Sequence, residues 1–243
     1  MVLVAHRGAV GPGQPENTLA AFRQAIASGA RAIEIDLRGT KDGEIVVIHD
    51  PTVDRTTNGS GAVADQTLAQ LRQLDAGRGE RIPTYEEVLQ LVSGTGIVLL
   101  LDIKKGGVLD RQKLIRVTED HGAIANVIVG SRNLEDLQAF RALSPGLRTL
   151  GFVDEIEDIA PFVQGGVDII RLWPEWIYAS PALVGTVHEL GRQVWTTAGD
   201  APSLELEKLV RLGVRGILVD QPDVMNELLA ELGKDRGGGE RAR

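Results

Sequence analysis

Four short segments of the sequence place acidic, basic and imidazole side chains within or directly after apolar runs. They are His6-Arg7-Gly8, Glu34-Ile35-Asp36, His49-Asp50 and Asp102-Ile103-Lys104. Side chains two positions apart on a β-strand point the same way, so the two polar residues of each acidic segment would share a face. If the strands lie side by side, the carboxylates of Glu34, Asp36 and Asp102 meet two cations and two imidazoles at one edge of a sheet.

Such a set of side chains has the chemistry to cleave a phosphodiester. Three converging carboxylates repel one another without a cation, and all-oxygen ligation suits one hard divalent ion, Mg²⁺ or Ca²⁺, with Mn²⁺ as a third candidate. Arg7 and Lys104 can hold phosphate oxygens. His6 and His49 can take a proton from a nucleophile and give one to the leaving alkoxide. Together these groups supply charge neutralisation, an activated oxygen and a protonated leaving group.

A simpler interpretation of the same residues stays open. Glu34 and Asp36 could form ion pairs with Arg38 or Lys41, although two acids pointing into the mouth of a fold make this less favourable. A lone histidine at the end of a strand is usually structural. Two of the four histidines, however, fall at strand ends beside these acids.

The elements that must position these residues alternate between strands and helices along the chain. Nine short β-type segments are predicted to be strands, at residues 2–6, 32–37, 45–49, 97–103, 127–130, 148–153, 168–172, 193–197 and 216–220. Most are unbroken Val/Ile/Leu runs, which are typical of strands buried on both faces of a parallel sheet. Amphipathic periodicity predicts helices at 18–28, 84–92, 110–120, 134–142, 181–190, 203–212 and 222–232. Several of these helices end at glycine, which is a stop signal.

The second and third predicted strands must form an antiparallel hairpin. Only residues 38–44 separate them, whereas a parallel crossover needs a dozen or more residues. A two-residue turn at Asp42-Gly43 would pair Lys41 with Glu44, and counting back then places Asp36 opposite His49. Eight parallel strands remain, which favours a (β/α)₈ TIM barrel with a β-hairpin after the second strand. A doubly wound open sheet is the alternative.

Two further regions stand out from this alternation. A polar, glycine-rich stretch at about 50–82, with a short helical pattern near 67–74, is predicted to be a small insertion over the barrel mouth. Residues 234–243, with three consecutive glycines between charges, are predicted to be a disordered tail, so the catalytic domain spans 1–233.

The histidines and aromatic residues outside these segments are less informative. His121 and His188 lie in the last turns of predicted helices, where they meet the helix dipole favourably, and we predict that both are structural. Trp173, Trp176 and Tyr178 follow a predicted strand end. They either line the substrate pocket or merely cap the barrel.

Composition excludes several classes of protein. The chain has 243 residues, a size that suits one barrel domain, and a net charge of −8 that disfavours nucleic acid and anionic membranes. There is no cysteine for disulfide or thiolate chemistry. Neither a signal peptide nor an apolar run long enough to span a membrane is found, so a cytoplasmic location is expected. The oligomeric state is left open.

The order and spacing of many short motifs resemble the glycerophosphodiester phosphodiesterase family across nearly the whole chain. The matching residues, densest in the first 105, are His6-Arg7-Gly8, Pro15-Glu16-Asn17-Thr18, Ala21-Phe22, Gly29, Glu34-Ile35-Asp36, Lys41-Asp42-Gly43, Val46-Val47-Ile48-His49-Asp50, Arg55-Thr56-Thr57, Gly59, Leu74-Asp75-Ala76-Gly77, Ile82-Pro83-Thr84, Asp102-Ile103-Lys104, Trp195-Thr196 and Asp220-Gln221-Pro222.

The resemblance implies a role for each of these site residues. A divalent metal would bind Glu34, Asp36 and Asp102, with His6 and His49 as the acid–base pair. Arg7 and Lys104 would hold phosphate, Glu16 would lie near the metal or substrate, and Trp195 joins the substrate-binding set. The insertion would help to bind glycerol. The implied reaction is hydrolysis of a small glycerophosphodiester to sn-glycerol 3-phosphate and an alcohol.

The sequence departs from the family pattern at a few positions. Asp102 stands where the family usually has glutamate, Arg132 where an aromatic residue is frequent, and Ala198 where asparagine is common. These departures leave the catalytic set intact and alter the opposite rim, so they concern substrate preference. Two other functions stay open: a lysophospholipase D-like or cyclising lyase activity at the same site, and a binding barrel without catalysis.

Overall fold

The structure, a computed structural model, describes residues 1–104 and 109–221. Its strands are β1 (Val2–Ala5), β2 (Ala32–Gly39), β3 (Ile45–Val47), β4 (Val98–Ile103), β5 (Val127–Ser131), β6 (Arg148–Phe152), β7 (Ile169–Leu172), β8 (Gln193–Gly199) and β9 (Gly216–Val219). Its α-helices are α1 (Leu19–Ala27), α2 (Leu68–Leu71), α3 (Tyr85–Val92), α4 (Arg111–Asp120), α5 (Leu134–Leu143), α6 (Ile159–Gln164), α7 (Pro174–Ala179), α8 (Ala182–Glu189) and α9 (Ser203–Arg211). None of the helices in these ranges has the length and apolar content that a membrane crossing would require.

Eight parallel strands close into a barrel, as the alternation of elements predicts. The strand order is β1-β9-β8-β7-β6-β5-β4-β2, and pairing of β1 with β2 closes the ring. β3 lies outside the ring, antiparallel to the end of β2. The TIM-barrel prediction is therefore confirmed, and the open sheet is not observed.

Strand alternation separates the buried residues into two cores. In β2 the odd-numbered Ile33, Ile35 and Leu37 pack in the large core between the sheet and the helices. The even-numbered Ala32 belongs to the inner core of the barrel, and Glu34 and Asp36 follow it on the same face. All eight residues of β2 are buried, including the charged Glu34, Asp36 and Arg38.

The inner face of the barrel changes from apolar to polar toward the carboxyl ends of the strands. Val4, Leu100 and Leu218 pack in the inner core, and two residues further along each chain segment stand His6, Asp102 and Asp220. Because parallel strands all end at the same rim, this change gathers the polar residues at the barrel mouth.

The hairpin differs by one residue from the predicted register. Leu37 pairs with Val47 and Gly39 with Ile45, so Asp36 lies opposite Ile48 instead of His49. The turn has three residues, 41–43, with Gly43 at φ 77°, and Thr40 N–H donates to the Glu44 carbonyl at 2.9 Å. The added turn residue shifts every later pair by one position.

A third, small hydrophobic cluster lies beneath the segment that joins β3 to α3. Val46 and Ile48 from the hairpin pack there with Val53, Val63 and Leu71. The predicted short helix near 67–74 is present as α2, which begins with a capping box at Thr67. The cluster ties this predicted insertion to the hairpin.

The remaining helices test the amphipathic periodicity. Six of the predicted helices are observed within one residue of their expected ends, whereas α6 and α7 were not predicted. Each of these two has only six residues and contains proline, so the periodicity is too short to recognise. The helix predicted at 222–232 and the tail at 234–243 lie outside the described residues.

Candidate active site

Three carboxylates come together at the barrel mouth. Glu34, Asp36 and Asp102 are 2%, 0% and 4% exposed, and one oxygen of each lies within 4.8 Å of the others. Asp36 and Asp102 are direct partners in the pairing of β2 with β4. The sequence prediction that these three residues share one site agrees with this geometry.

The electrostatics of the acidic triad favour a bound cation. Burial raises the pKa of Glu34 well above its usual range, and the charges of Asp36 and Asp102 raise it further. Asp36 Oδ1 and Asp102 Oδ1 are buried without a hydrogen bond among the described residues. Oxygen-only donors with unused lone pairs suit a hard divalent ion, so these residues fit one.

Two cations lie directly against the triad. Lys104 Nζ is 2.8 Å from Asp36 Oδ1, as an ion pair without hydrogen-bond geometry, and it also contacts Asp102. Burial alone would lower the pKa of Lys104, but the charges of Asp102 and Asp36 outweigh burial and raise it. Arg7 Nε lies 3.4 Å from Asp36 Oδ2. Lys104 and Arg7 thus act in the same direction on Asp36, whose pKa falls although burial opposes the change.

The turn after β1 has an unusual backbone that serves the site. Arg7 has a left-handed φ of 57°, and Gly8 follows at 90°. The turn aims the Arg7 N–H at Glu34 Oε2, 2.9 Å away. A Cβ at Gly8 would lie 2.7 Å from the Cβ of Ala21, so only glycine fits between this turn and α1.

Each of the two imidazoles is held by an aspartate. His6 Nδ1 lies 2.7 Å from Asp220 Oδ1, and His49 Nδ1 lies 2.6 Å from Asp50 Oδ1. Hydrogen bonds from Arg55 and His49 keep the pKa of Asp50 low. The Asp50 carboxylate is therefore ionised and accepts a hydrogen bond from His49 Nδ1. This contact engages Nδ1 of His49 and not its Nε2 atom.

The pKa of His49 reflects opposed influences. Burial lowers it, while the hydrogen bond to Asp50 and the charge of Asp36 act to raise it. The charge of Asp36 therefore acts on His49 although the two residues are not paired across the hairpin. The chain leaves β3 at Val47, and the following bend returns His49 toward the triad.

Glu16 is held between two guanidinium groups. Arg55 donates to both of its carboxylate oxygens at 2.8 Å, and Arg7 Nη1 donates to Oε1 at 3.1 Å. Burial acts to raise the pKa of Glu16, but these arginines together lower it. Arg55 also donates to Asp50 at 2.7 Å, so the predicted insertion is linked to both the β1 turn and the His49 dyad.

Sequence reasoning assigned no role to Asn17, Asp50, Arg55 or Asp220. Asn17 Nδ2 donates to Asp36 Oδ2 at 2.7 Å, and the Asp36 N–H donates back to Asn17 Oδ1 at 3.3 Å. Asn17 and Asp50 directly follow the predicted site residues Glu16 and His49 in the sequence motifs. This adjacency is only weak evidence for a role at the site. Asp220 lies 214 positions from His6, and only the pairing of β1 with β9 brings them together.

Trp195, expected to contact substrate, is placed elsewhere. It is 1% exposed and packs in the inner core with Val4, Leu100 and Leu218. A Cβ at Gly216 would lie 2.3 Å from its ring, so that glycine makes room for the indole. The motif match marks a core residue of the barrel instead of a group at the mouth.

Arg38, His188 and His121 each contact backbone carbonyl groups. Arg38 donates to the His49 carbonyl at 2.9 and 2.7 Å and so supports the bend that bears this imidazole. His188 contacts the carbonyls of Arg192 and Gly213, at 2.9 and 3.0 Å, as expected of a structural residue. His121 contacts the Val117 carbonyl at 2.9 Å at the end of α4.

Comparisons with known proteins agree on one family. The family model described as the glycerophosphoryl diester phosphodiesterase family matches residues 6–224. A glycerophosphodiester phosphodiesterase from Caldanaerobacter subterraneus subsp. tengcongensis is 35% identical over 96% of this chain and 99% of its own. A phosphodiesterase of Oleispira antarctica, solved in complex with the product sn-glycerol-3-phosphate, is 25% identical with a TM-score of 0.82, covering 95% of this chain and 97% of that one. A glycerophosphodiester phosphodiesterase from Agrobacterium tumefaciens is 27% identical with a TM-score of 0.82, covering 92% and 97%.

The fold and the site define a barrel hydrolase of phosphoric diesters. The match to the family model over most of the length, together with the 35% identity to a relative of nearly equal length, identifies the family. The chain belongs to the glycerophosphoryl diester phosphodiesterase family.

Proposed function

We propose that the protein hydrolyses glycerophosphodiesters to sn-glycerol 3-phosphate and an alcohol with one divalent metal ion. The observation that supports this most is the triad of buried carboxylates, two of whose oxygens accept no hydrogen bond from the described residues. The Oleispira antarctica relative was solved with sn-glycerol-3-phosphate, the product proposed here. When bound, the metal would supply positive charge for the phosphate and for an attacking oxygen.

Glu34, Asp36 and Asp102 would hold the metal, while Arg7 and Lys104 would bind phosphate. Arg7 and Lys104 both contact Asp36 of the triad. With a divalent ion on the carboxylates, their guanidinium and ammonium groups would bind anionic oxygens of the phosphate. Glu16 keeps Arg7 oriented toward the mouth through its hydrogen bond.

His6 and His49 would perform the proton transfers. Each is oriented through Nδ1 by an aspartate, which leaves Nε2 to act on a ligand. In the overall reaction, the bond from phosphorus to the alcohol oxygen breaks and a bond to a water oxygen forms. One imidazole accepts a proton on the attacking side, and the other returns one to the departing alkoxide.

The test is release of sn-glycerol 3-phosphate from a panel of glycerophosphodiesters, followed by phosphorus NMR. We expect loss of activity in EDTA and recovery with Mg²⁺, Mn²⁺ or Ca²⁺. Full activity in EDTA would contradict the metal dependence. A cyclic phosphate as the final product would indicate a cyclising lyase instead of a hydrolase, and release from lysophospholipids alone would indicate the lysophospholipase D-like activity.

A further inference from the structure

A buried arginine lies on the opposite side of the barrel mouth from the two imidazoles. Arg171, on β7, is 1% exposed and shares its strand face with Ile169 of the inner core. Its guanidinium carbon is 3.6 Å from the centroid of the Trp173 ring and 5.6 Å from that of Phe152. The group therefore lies between two aromatic faces inside the barrel.

Two nitrogens of this side chain have no hydrogen-bond partner in the part of the chain that the structure describes. Arg171 Nε and Nη1 are buried without a hydrogen bond among the described residues. A buried guanidinium with unused donors is costly unless an anion or water completes it. Burial lowers the pKa of Arg171 to about 10, and the neighbouring charge of Arg132 acts in the same direction. The two aromatic contacts replace only part of the hydration free energy that the guanidinium loses on burial.

A second guanidinium completes the cluster. Arg132 follows the end of β5, has a side chain 31% exposed, and lies 5.5 Å from the Phe152 ring centroid. Arg132 Nε pairs with Asp154 at 3.2 Å, and its Nη1 is 4.0 Å from Asp102 Oδ2 of the triad. We call Arg132, Phe152, Asp154, Arg171 and Trp173 the arginine rim.

The arginine rim adjoins the acidic triad directly. Asp102 pairs with Gly130 across β4 and β5. A Cβ at Gly130 would lie 2.5 Å from the Phe152 ring, so the absence of a side chain there lets the ring lie over β5 beside Asp102. A diester with its phosphate at the triad thus has the predicted insertion toward one arm and the arginine rim toward the other.

We propose that Arg171 and Arg132 select substrates whose alcohol arm bears an anionic group such as a carboxylate. This inference rests on the proposed function, whose site it extends. A quaternary ammonium would need an open aromatic face, but Arg171 already covers Trp173, and two guanidiniums repel a cation. A carboxylate, by contrast, gives Arg171 Nε and Nη1 an acceptor that the described residues do not provide, despite the nearby charge of Asp154.

Glycerophosphoserine and glycerophosphoethanolamine test this selection because they differ only by one carboxylate. We expect the wild type to have the higher kcat/KM on the serine ester. Arg171→Gln should lower that value about tenfold to a hundredfold, while the value on the ethanolamine ester changes less than about threefold. Arg171→Lys should restore part of the preference as a point charge. Arg148→Gln, at the exposed start of β6 and thus at the opposite end of the barrel, is the matched control and should change neither value.

The ethanolamine ester also reports folding in the same sample. Equal effects of Arg171→Gln on both esters, or no wild-type preference, would overturn the proposal. If the wild type hydrolyses neither ester, the proposed function fails, and calorimetric binding of the two esters then tests the inference separately. Tighter binding of the serine ester that is lost in Arg171→Gln supports it, and equal binding refutes it.

Discussion

The two sides of the barrel mouth differ in how their charged side chains are paired. The acidic side contains His6, Arg7, Glu34, Asp36 and His49, and its imidazoles and Arg7 each contact a carboxylate. The arginine rim buries a guanidinium between aromatic rings with two nitrogens that lack a partner among the described residues. One side has cations and anions in contact, and the other has positive charge in excess.

Under the proposed function and the further inference, this difference would separate groups needed for chemistry from groups that select a ligand. Catalytic imidazoles must be held in one orientation before substrate arrives, so an internal partner for each is favourable. A group that discriminates among ligands is more selective when only the correct ligand completes its hydrogen bonds. The following predictions, from the largest expected effect to the smallest, test whether the division holds.

Loss of an imidazole on the acidic side should have the largest effect. We expect His49→Ala to lower kcat by about 10² to 10⁴-fold, because proton transfer to or from the reacting oxygen loses its catalyst. Metal binding, measured by calorimetry, and the thermal unfolding temperature should change little. Unchanged turnover would remove His49 from the mechanism.

The aspartates behind the imidazoles should have intermediate effects. Asp50→Asn and Asp220→Asn should each lower kcat by about 10 to 100-fold with a smaller change in KM, because each imidazole loses its orientation and charge partner. The pH profile of kcat should shift in both variants. An effect on KM alone would show that these aspartates act on binding and not on the imidazoles.

Arg132→Gln should affect selection and spare the chemical step. Its side chain is partly exposed and already paired with Asp154, so solvent screens its contribution more than that of Arg171. We expect kcat/KM for glycerophosphoserine to fall by about three- to fivefold, with kcat for glycerophosphoethanolamine unchanged. A large fall in kcat for both esters would place Arg132 with the catalytic groups and break the comparison.

The smallest effect should be on thermal stability. Without metal, ionisation of the buried Glu34 is expected to destabilise the folded protein. Because burial raises the pKa of Glu34, its folded carboxyl keeps a proton that the unfolded chain loses above about pH 4.5. Wild-type stability from this group therefore declines as pH rises from 4.5 through the raised pKa. Glu34→Gln without metal should melt higher than metal-free wild type at pH 7, by at least about 2 °C.

The pH dependence of this difference supplies the control. The gap between Glu34→Gln and wild type should shrink as pH falls below 4.5, where Glu34 is protonated in both states. Added Mg²⁺ or Ca²⁺ should stabilise wild type more than the variant, since the variant lacks one carboxylate ligand. A gap that is constant with pH would mean that ionisation of Glu34 has no part in it.

Local sequence patterns predicted the strands and most of the helices, and they grouped the acidic residues of the candidate site. Apolar runs predict all nine strands within two residues of their observed ends, and the i, i+2 spacing correctly groups Glu34 with Asp36. The hairpin register was predicted wrongly because a three-residue turn replaced the expected two-residue turn. The His49 bend still brings this residue within electrostatic reach of Asp36.

By itself, the sequence determined the alternation of elements and the identity of the polar residues at the strand ends. Both depend on interactions between near neighbours, and periodicity records these directly. Only the tertiary structure decided that Asp220 contacts His6, that Trp195 is a core residue and that the Arg171 guanidinium stacks on Trp173. Those outcomes depend on barrel closure and on which strand face is buried. They are set by contacts between residues far apart in the chain, which no local pattern contains.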